Sequence, residues 1–186
     1  MSSNSIHHSP DTVLSFWFEE IPSKRWWEKS PEFDQMIVER FGDLHRAARV
    51  CELFAWRLTP QGSLAEIVVL DQFSRNIYRD QAQAFECDPL ALALAQTAVE
   101  VMADKELDLK MRPFIYMPFM HSESPSVHSV AMGLFNVPGL ESFFESERKH
   151  KNIIDQFGRY PHRNALLGRE STALELEFLV MPNSSF

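Results

Sequence analysis

The 186-residue sequence predicts an all-α protein, a single domain of seven to eight helices joined by short loops. Three observations predict it. Apolar residues recur three and four apart in one segment after another, the spacing that lines a single face of a helix. Ser9-Pro10, Ser30-Pro31, Thr59-Pro60 and Asp88-Pro89 each set a capping or acidic residue before a proline, as helix starts do. No stretch alternates apolar and polar residues between hairpin turns, and six glycines leave few tight turns.

Ser9-Pro10-Asp11 opens a short first helix, Thr12 to Glu19. Its Val13, Leu14, Phe16, Trp17 and Phe18 cover most of its surface, which implies burial on more than one side. Ile21-Pro22 breaks it. Trp26-Trp27 then lies between helices, where paired tryptophans plug the end of a bundle or else wall a pocket. Ser30 caps the second helix, Pro31 takes its first position, and Glu32 complements the helix dipole. Phe33, Ile37, Phe41 and Leu44 form its apolar stripe. The third helix runs from Gln61 to Ile77, and the fourth, rich in Ala and Leu, from Leu90 to Met102. A fifth begins near Lys110, carries Phe114, Ile115 and Phe119, and meets Pro118, which should kink or end it. A sixth covers 126–136 and a seventh 139–157, stopped by Gly158. Thr172 and Glu175 make a capping box for a short last helix ending near Met181-Pro182. Residues 1–9 are expected to be a flexible tail and 10–186 one helical domain, with no internal repeat of readable signature.

Composition narrows the class. Hydrophobic content of 45% and aromatic content of 12% suffice for one core and argue against disorder. Apolar runs such as Ile67-Val68-Val69-Leu70 are far shorter than the roughly 20 residues of a membrane span. The polar N-terminus lacks the apolar stretch of a signal peptide. Cys51 and Cys87 have no CxxC spacing, so two free thiols in a reducing cytosol are expected in place of a disulfide or zinc site. A net charge of −8 opposes the phosphate neutralisation that drives nucleic-acid binding. The expectation is a cytoplasmic protein without nucleic-acid or membrane partners.

One segment departs from this acidic balance. Residues 148–169 hold six Lys/Arg (Arg148, Lys149, Lys151, Arg159, Arg163, Arg169) against Asp155, a formal +5, so the remainder of the chain sums to −13. Like charges crowded together need neutralising. Either acids from elsewhere fold over the segment, or an anionic ligand binds there.

Several blocks carry a family resemblance: Asp71-Gln72-Phe73-Ser74-Arg75-Asn76, Tyr116-Met117-Pro118-Phe119-Met120-His121-Ser122-Glu123, Phe157-Gly158-Arg159-Tyr160-Pro161-His162-Arg163-Asn164, and Leu167-Gly168-Arg169-Glu170-Ser171-Thr172. With the opening Val13-Leu14-x-Phe16-Trp17-Phe18 and Trp26-Trp27, they resemble the signature blocks of the DUF924 family, named for a domain of unknown function. The resemblance runs from about Asp11 to the C-terminus. It implies an all-α fold similar to tetratricopeptide-repeat-like helical arrays and no established activity. The loop Ser124-Pro125-Ser126-Val127-His128 departs from the more acidic stretch of the family pattern.

The blocks also carry chemistry. Asp71 and Arg75 stand four apart on one helix face, as do Gln72 and Asn76 one step round. They form ion pairs and hydrogen bonds that orient the helix, or an Arg75–Asn76 pair facing a cleft, its guanidinium fork suited to a carboxylate or phosphate. His121 emerges where the chain leaves an apolar turn, two residues before Glu123. It is a buried, hydrogen-bonded imidazole or a general base, with Glu123 or Asp71 as orienter. His162, beside Arg163 and Asn164, is the alternative acid/base, and Pro161 suggests a helix start whose N–H groups would favour an anion. Arg159, Arg163 and Arg169 either line that pocket or staple the C-terminal third to scattered acids such as Asp71, Glu123 or Glu170. No HExxH or other ligand spacing joins His121, His128, His150 and His162, so no metal and no cofactor is expected. No GxSxG, catalytic cysteine signature or glycine-rich phosphate loop marks a nucleophile or nucleotide site.

Three functions follow. The chain is a binding module for a small anionic ligand or the acidic or C-terminal end of a peptide, using Asp71, Arg75, Asn76, Arg159, Arg163, Asn164 and Arg169 with His162. Or it is a hydrolase or transferase on an anionic metabolite, with His121 or His162 as acid/base and Glu123 in support. Or it is a scaffold in which the polar blocks serve stability.

Overall fold

The structure is a computed structural model that describes residues 8–182 and 184. Among the described residues every regular element is helical and there are no strands. The expected flexible tail lies, as far as residue 7, outside the described residues.

Helix α1 (Pro10–Ser15) starts on a capping box between Ser9 and Thr12 and runs on as a wider π turn, Phe16–Glu20. Val13, Leu14, Phe16, Trp17 and Phe18 are all buried, the multi-sided burial their crowding implies. A 3₁₀ turn, Ser23–Trp27, folds Trp26 back so that its indole N–H donates to the Trp17 carbonyl at 2.9 Å. Trp26 stands edge-on to Phe114, and Trp27 remains exposed. Helix α2 (Pro31–Arg49) is capped by Ser30 and buries Phe33, Ile37, Phe41 and Leu44.

Helix α3 (Pro60–Val68) begins at Thr59, whose hydroxyl accepts from the Gly62 N–H. Gly62 has to be glycine, because a Cβ there would overlap the carbonyl oxygen of Trp56. The helix continues through a π segment, Val69–Phe73, into α4 (Ser74–Ile77). Together they span the predicted third helix. Helix α5 (Asp88–Glu100) buries only small residues, Ala91, Ala95 and Ala98. That lets it approach α6 (Pro113–Met120) closely, and α6 is buried along its whole length.

Two expectations for α6 require correction. It starts at Pro113, not near Lys110, because residues 108–112 are taken up by turns bonded to Asp108. Pro118 lies inside it and does not end it, the helix running on to Met120. A proline removes one N–H donor, and side chains packed on every side of α6 outweigh that loss.

Helices α7 (Pro125–Phe135) and α8 (Glu141–Phe157) follow, and α5, α6, α7 and α8 pack as successive neighbours. Gly158 ends α8 with φ +69°, a left-handed conformation suited to glycine. Residues 161–163 make one 3₁₀ turn, and α9 (Ala173–Leu179) carries the predicted capping box of Thr172 and Glu175. A single large apolar core runs from α1 to Leu140, and a small satellite of Ile153, Ile154 and Tyr160 with Phe157 and Phe178 attaches α9. No helix is long and apolar enough to cross a membrane among the described residues.

Candidate functional site

The π segment turns the buried Asp71 toward the C-terminal end of α6, where His121 caps the helix. Asp71 Oδ1 lies 2.7 Å from His121 Nδ1, and Asp71 Oδ2 accepts from Gln72 Nε2 at 2.6 Å. Arg75 donates to the Asp71 backbone carbonyl at 2.7 Å and sits 3.3 Å from Oδ1. Burial works to raise the Asp71 carboxyl, but Arg75, His121 and Gln72 outweigh it and hold the pKa well below the usual carboxylate range. Burial, reinforced by the Arg75 charge, lowers that of His121. The pair is therefore carboxylate and neutral imidazole at pH 7. An ionised carboxylate only accepts, so the imidazole proton is on Nδ1 and Nε2 carries the lone pair.

Two arginines close round this dyad. Arg75 makes a two-pronged pair with Asp88, at 3.0 and 3.1 Å. Arg163 NH1 reaches the same carboxylate at 3.1 Å, and its NH2 donates to the His121 carbonyl at 3.1 Å. The Arg163 guanidinium lies 4.5 Å from the ring centre of Phe85 and 4.6 Å from that of Tyr160. Its Nε is buried without a hydrogen-bond partner.

The other predicted residues fall elsewhere. Glu123 does not orient His121: it takes a two-pronged pair from Arg169, at 2.6 and 2.9 Å, and the Tyr160 N–H at 2.8 Å. Arg169 also donates to Asn164 Oδ1, and Asn164 donates to Ser171, tying this turn together. Arg159 pairs with Glu175 at 2.6 and 2.7 Å and so serves α9. Asn76 does not pair with Gln72, because each has another partner: Gln72 donates to Asp71. Asn76 donates to Asp34 of α2 at 2.8 Å, beside Arg79, which pairs with the same carboxylate. His162 packs its ring against Tyr160, with a pKa lowered to about 4 by burial and then by Arg163. The 3₁₀ turn of residues 161–163 is too short to offer the helix N-terminus expected there.

These pairings account for most of the charge asymmetry, four acids from outside the segment facing its formal +5. Arg148 pairs with Glu145, Lys151 with Asp155, Arg159 with Glu175, Arg163 with Asp88 and Arg169 with Glu123. Acids from within the fold cover the basic segment.

Sequence reasoning missed three parts of the site. Asp88 was legible only as the acid that starts α5, and Phe85 had no signal at all. Tyr160 anchors the floor: its hydroxyl donates to the Met120 carbonyl at 2.5 Å and lies 3.2 Å from His128 Nε2. His128, itself 2.7 Å from Glu147, links α7 to α8 in the interior. Among the described residues no group of three or more His, Cys, Asp or Glu is placed to hold a metal. A surface hollow of about 320 Å³, lined by Phe135, Val137, Pro138 and Phe144, includes none of these residues.

Residues 13–183 match the family model described as a bacterial protein of unknown function, DUF924. The chain belongs to the DUF924 family. A solved structure titled as a protein of unknown function, ATU0120 from Agrobacterium tumefaciens, is similar to this DUF924 chain throughout. The two are 36% identical with a TM-score of 0.87, over 92% of this chain and 96% of that one. Among curated proteins no match is found.

Proposed function

We propose that this DUF924 protein is an enzyme that uses His121 as a general base on a small polar metabolite. The observation that carries this is the 2.7 Å bond from His121 Nδ1 to the buried Asp71 carboxylate. Asp71 fixes the ring and its tautomer, and the neutral Nε2 is left to accept a proton. His121 is partly exposed, with 16% of its side chain reaching solvent. Arg75 and Arg163 stand beside it as the groups that stabilise developing negative charge. A depressed His121 pKa keeps the base unprotonated at neutral pH.

A second reading, a module that binds a small anion without turnover, is favoured by Arg163, whose Nε is buried and unpartnered. The successive packing of α5 to α8 supports a tetratricopeptide-like array, and analogy to peptide-binding arrays adds an acidic peptide end as a ligand. A cytoplasmic setting belongs to the same proposal, in keeping with the free thiols of Cys51 and Cys87.

A thermal-shift panel of carboxylated and phosphorylated metabolites, followed by turnover assays on each hit, tests both. Ligand at about 100 times its dissociation constant stabilises the fold by about 2.7 kcal/mol. The enzyme reading predicts that His121→Gln retains binding and loses turnover at least a hundredfold, the usual contribution of general-base catalysis. Binding with no turnover in the wild type selects the module, and a panel without any hit rejects both.

A further inference from the structure

Asp88 is the one residue on which the two arginines of the site converge. Arg75 comes from α4 and Arg163 from the turn after α8, and both place guanidinium N–H groups on this carboxylate at 3.0–3.1 Å. Among the described residues, the side-chain hydrogen bonds of Asp88 all go to these two arginines. Its side chain is 14% exposed, against 8% for Arg163.

The arginines have other anchors. Arg163 is held between the Phe85 and Tyr160 rings and by the His121 carbonyl, and Arg75 by the Asp71 carbonyl. A fork fixed in this way keeps its shape when the carboxylate in it is exchanged. Planar guanidinium pairs match a carboxylate in two-pronged geometry, whether that carboxylate belongs to the chain or to a ligand. In the Asp88-bound arrangement the buried Arg163 Nε has no hydrogen-bond partner, so this carboxylate does not satisfy the whole guanidinium.

We infer that Asp88 is an internal counter-ion standing in for a ligand's carboxylate, which displaces it from the Arg75–Arg163 fork and is thereby set beside His121. This rests on the reading of His121 as the centre of the site, and it names the substrate class: a small monocarboxylate. With Asp88 in place, Arg75 and Arg163 are balanced by Asp71 and Asp88. Ligand binding then competes with an intramolecular carboxylate, which weakens apparent affinity and rejects anions that cannot form the two-pronged pair.

The test is titration of the wild type and of Asp88→Asn with formate and acetate at constant ionic strength. NMR follows the Nε–H signals of Arg75 and Arg163 and the ring nitrogens of His121. Removing the competing charge is expected to tighten carboxylate binding at least tenfold, with saturable shifts at both arginines. Equal or weaker binding in Asp88→Asn, or shifts that bypass the arginines, overturns the inference. Asp88→Ser provides a second, smaller replacement. If neither variant folds, Asp88 is a structural bridge and the inference fails. The His121 reading is scored separately in the same spectra: an Nδ1–H tautomer with no carboxylate effect removes only the Asp88 proposal, and loss of that tautomer removes the His121 reading itself.

Discussion

At the scale of single residues, the dyad of Asp71 and His121 shows how burial and charge divide protons between neighbours. Asp71 is buried yet ionised, because Arg75, His121 and Gln72 together outweigh its desolvation. Replacing it should therefore be costly. Asp71→Asn leaves Arg75 with Asp88 as its remaining carboxylate partner and is expected to lose about 3 kcal/mol of stability in urea unfolding, in the range for broken buried pairs. A loss under about 1 kcal/mol would mean that Asp88 alone balances Arg75. Sequence spacing made Asp71 and Arg75 legible as a pair, since residues four apart share a helix face. It could not show that His121, fifty positions away, takes the other side of the same carboxylate. Nor could it show that Glu123, the nearer acid in sequence, turns away to Arg169.

At the scale of elements, helix ends proved the most legible features. Ser30, Thr59, Gly158 and the Thr172–Glu175 box act where they stand, because a cap satisfies backbone groups within a few residues. Pro118 did not end its helix for the opposite reason: its effect depends on what surrounds the helix, and α6 is enclosed on all sides. The π segment of Val69–Phe73 was likewise illegible, although it aims Asp71 at the site. Gly62 combines local and tertiary demands, lying in the first turn of α3 and against the Trp56 carbonyl. Gly62→Ala is expected to destabilise by about 1–3 kcal/mol, as overpacking does. Chemical denaturation measures it, and an unchanged midpoint would mean that the 3₁₀ turn Phe54–Leu58 can shift away at no cost.

At the scale of the whole molecule, buried histidines set the response to acid. Burial lowers His45 and His162 to about 4 and His150 to about 3, and it lowers His121 as well. In the unfolded chain each takes up its proton near 6.5. Between these values the unfolded state binds more protons, so stability falls as the pH drops. Their contribution is complete above pH 6.5 and is lost progressively toward pH 4 and below. Glu147 acts in the other direction, since burial raises its pKa and acid relieves that cost. One carboxyl against these four imidazoles, with His8 lowered as well, leaves the sign unchanged. The melting temperature is expected to decline from pH 7 to pH 5, before most carboxylates titrate, and a flat profile over that range would contradict this placement of the histidines.

The sequence by itself determined that the chain is helical, where most helices start and stop, which residues form their apolar faces, and to which family the blocks belong. These depend on contacts within a turn or two, or on patterns repeated along the chain. Only the tertiary structure decided which acid meets which arginine. Asp88 and Arg163 are 75 positions apart, and Asp34 and Asn76 are 42 apart. An ion pair records nothing in the sequence except two charges. Which carboxylate an arginine meets depends on where packing of the core sets the helices, and that turned a crowded basic segment into one covered by acids of its own fold.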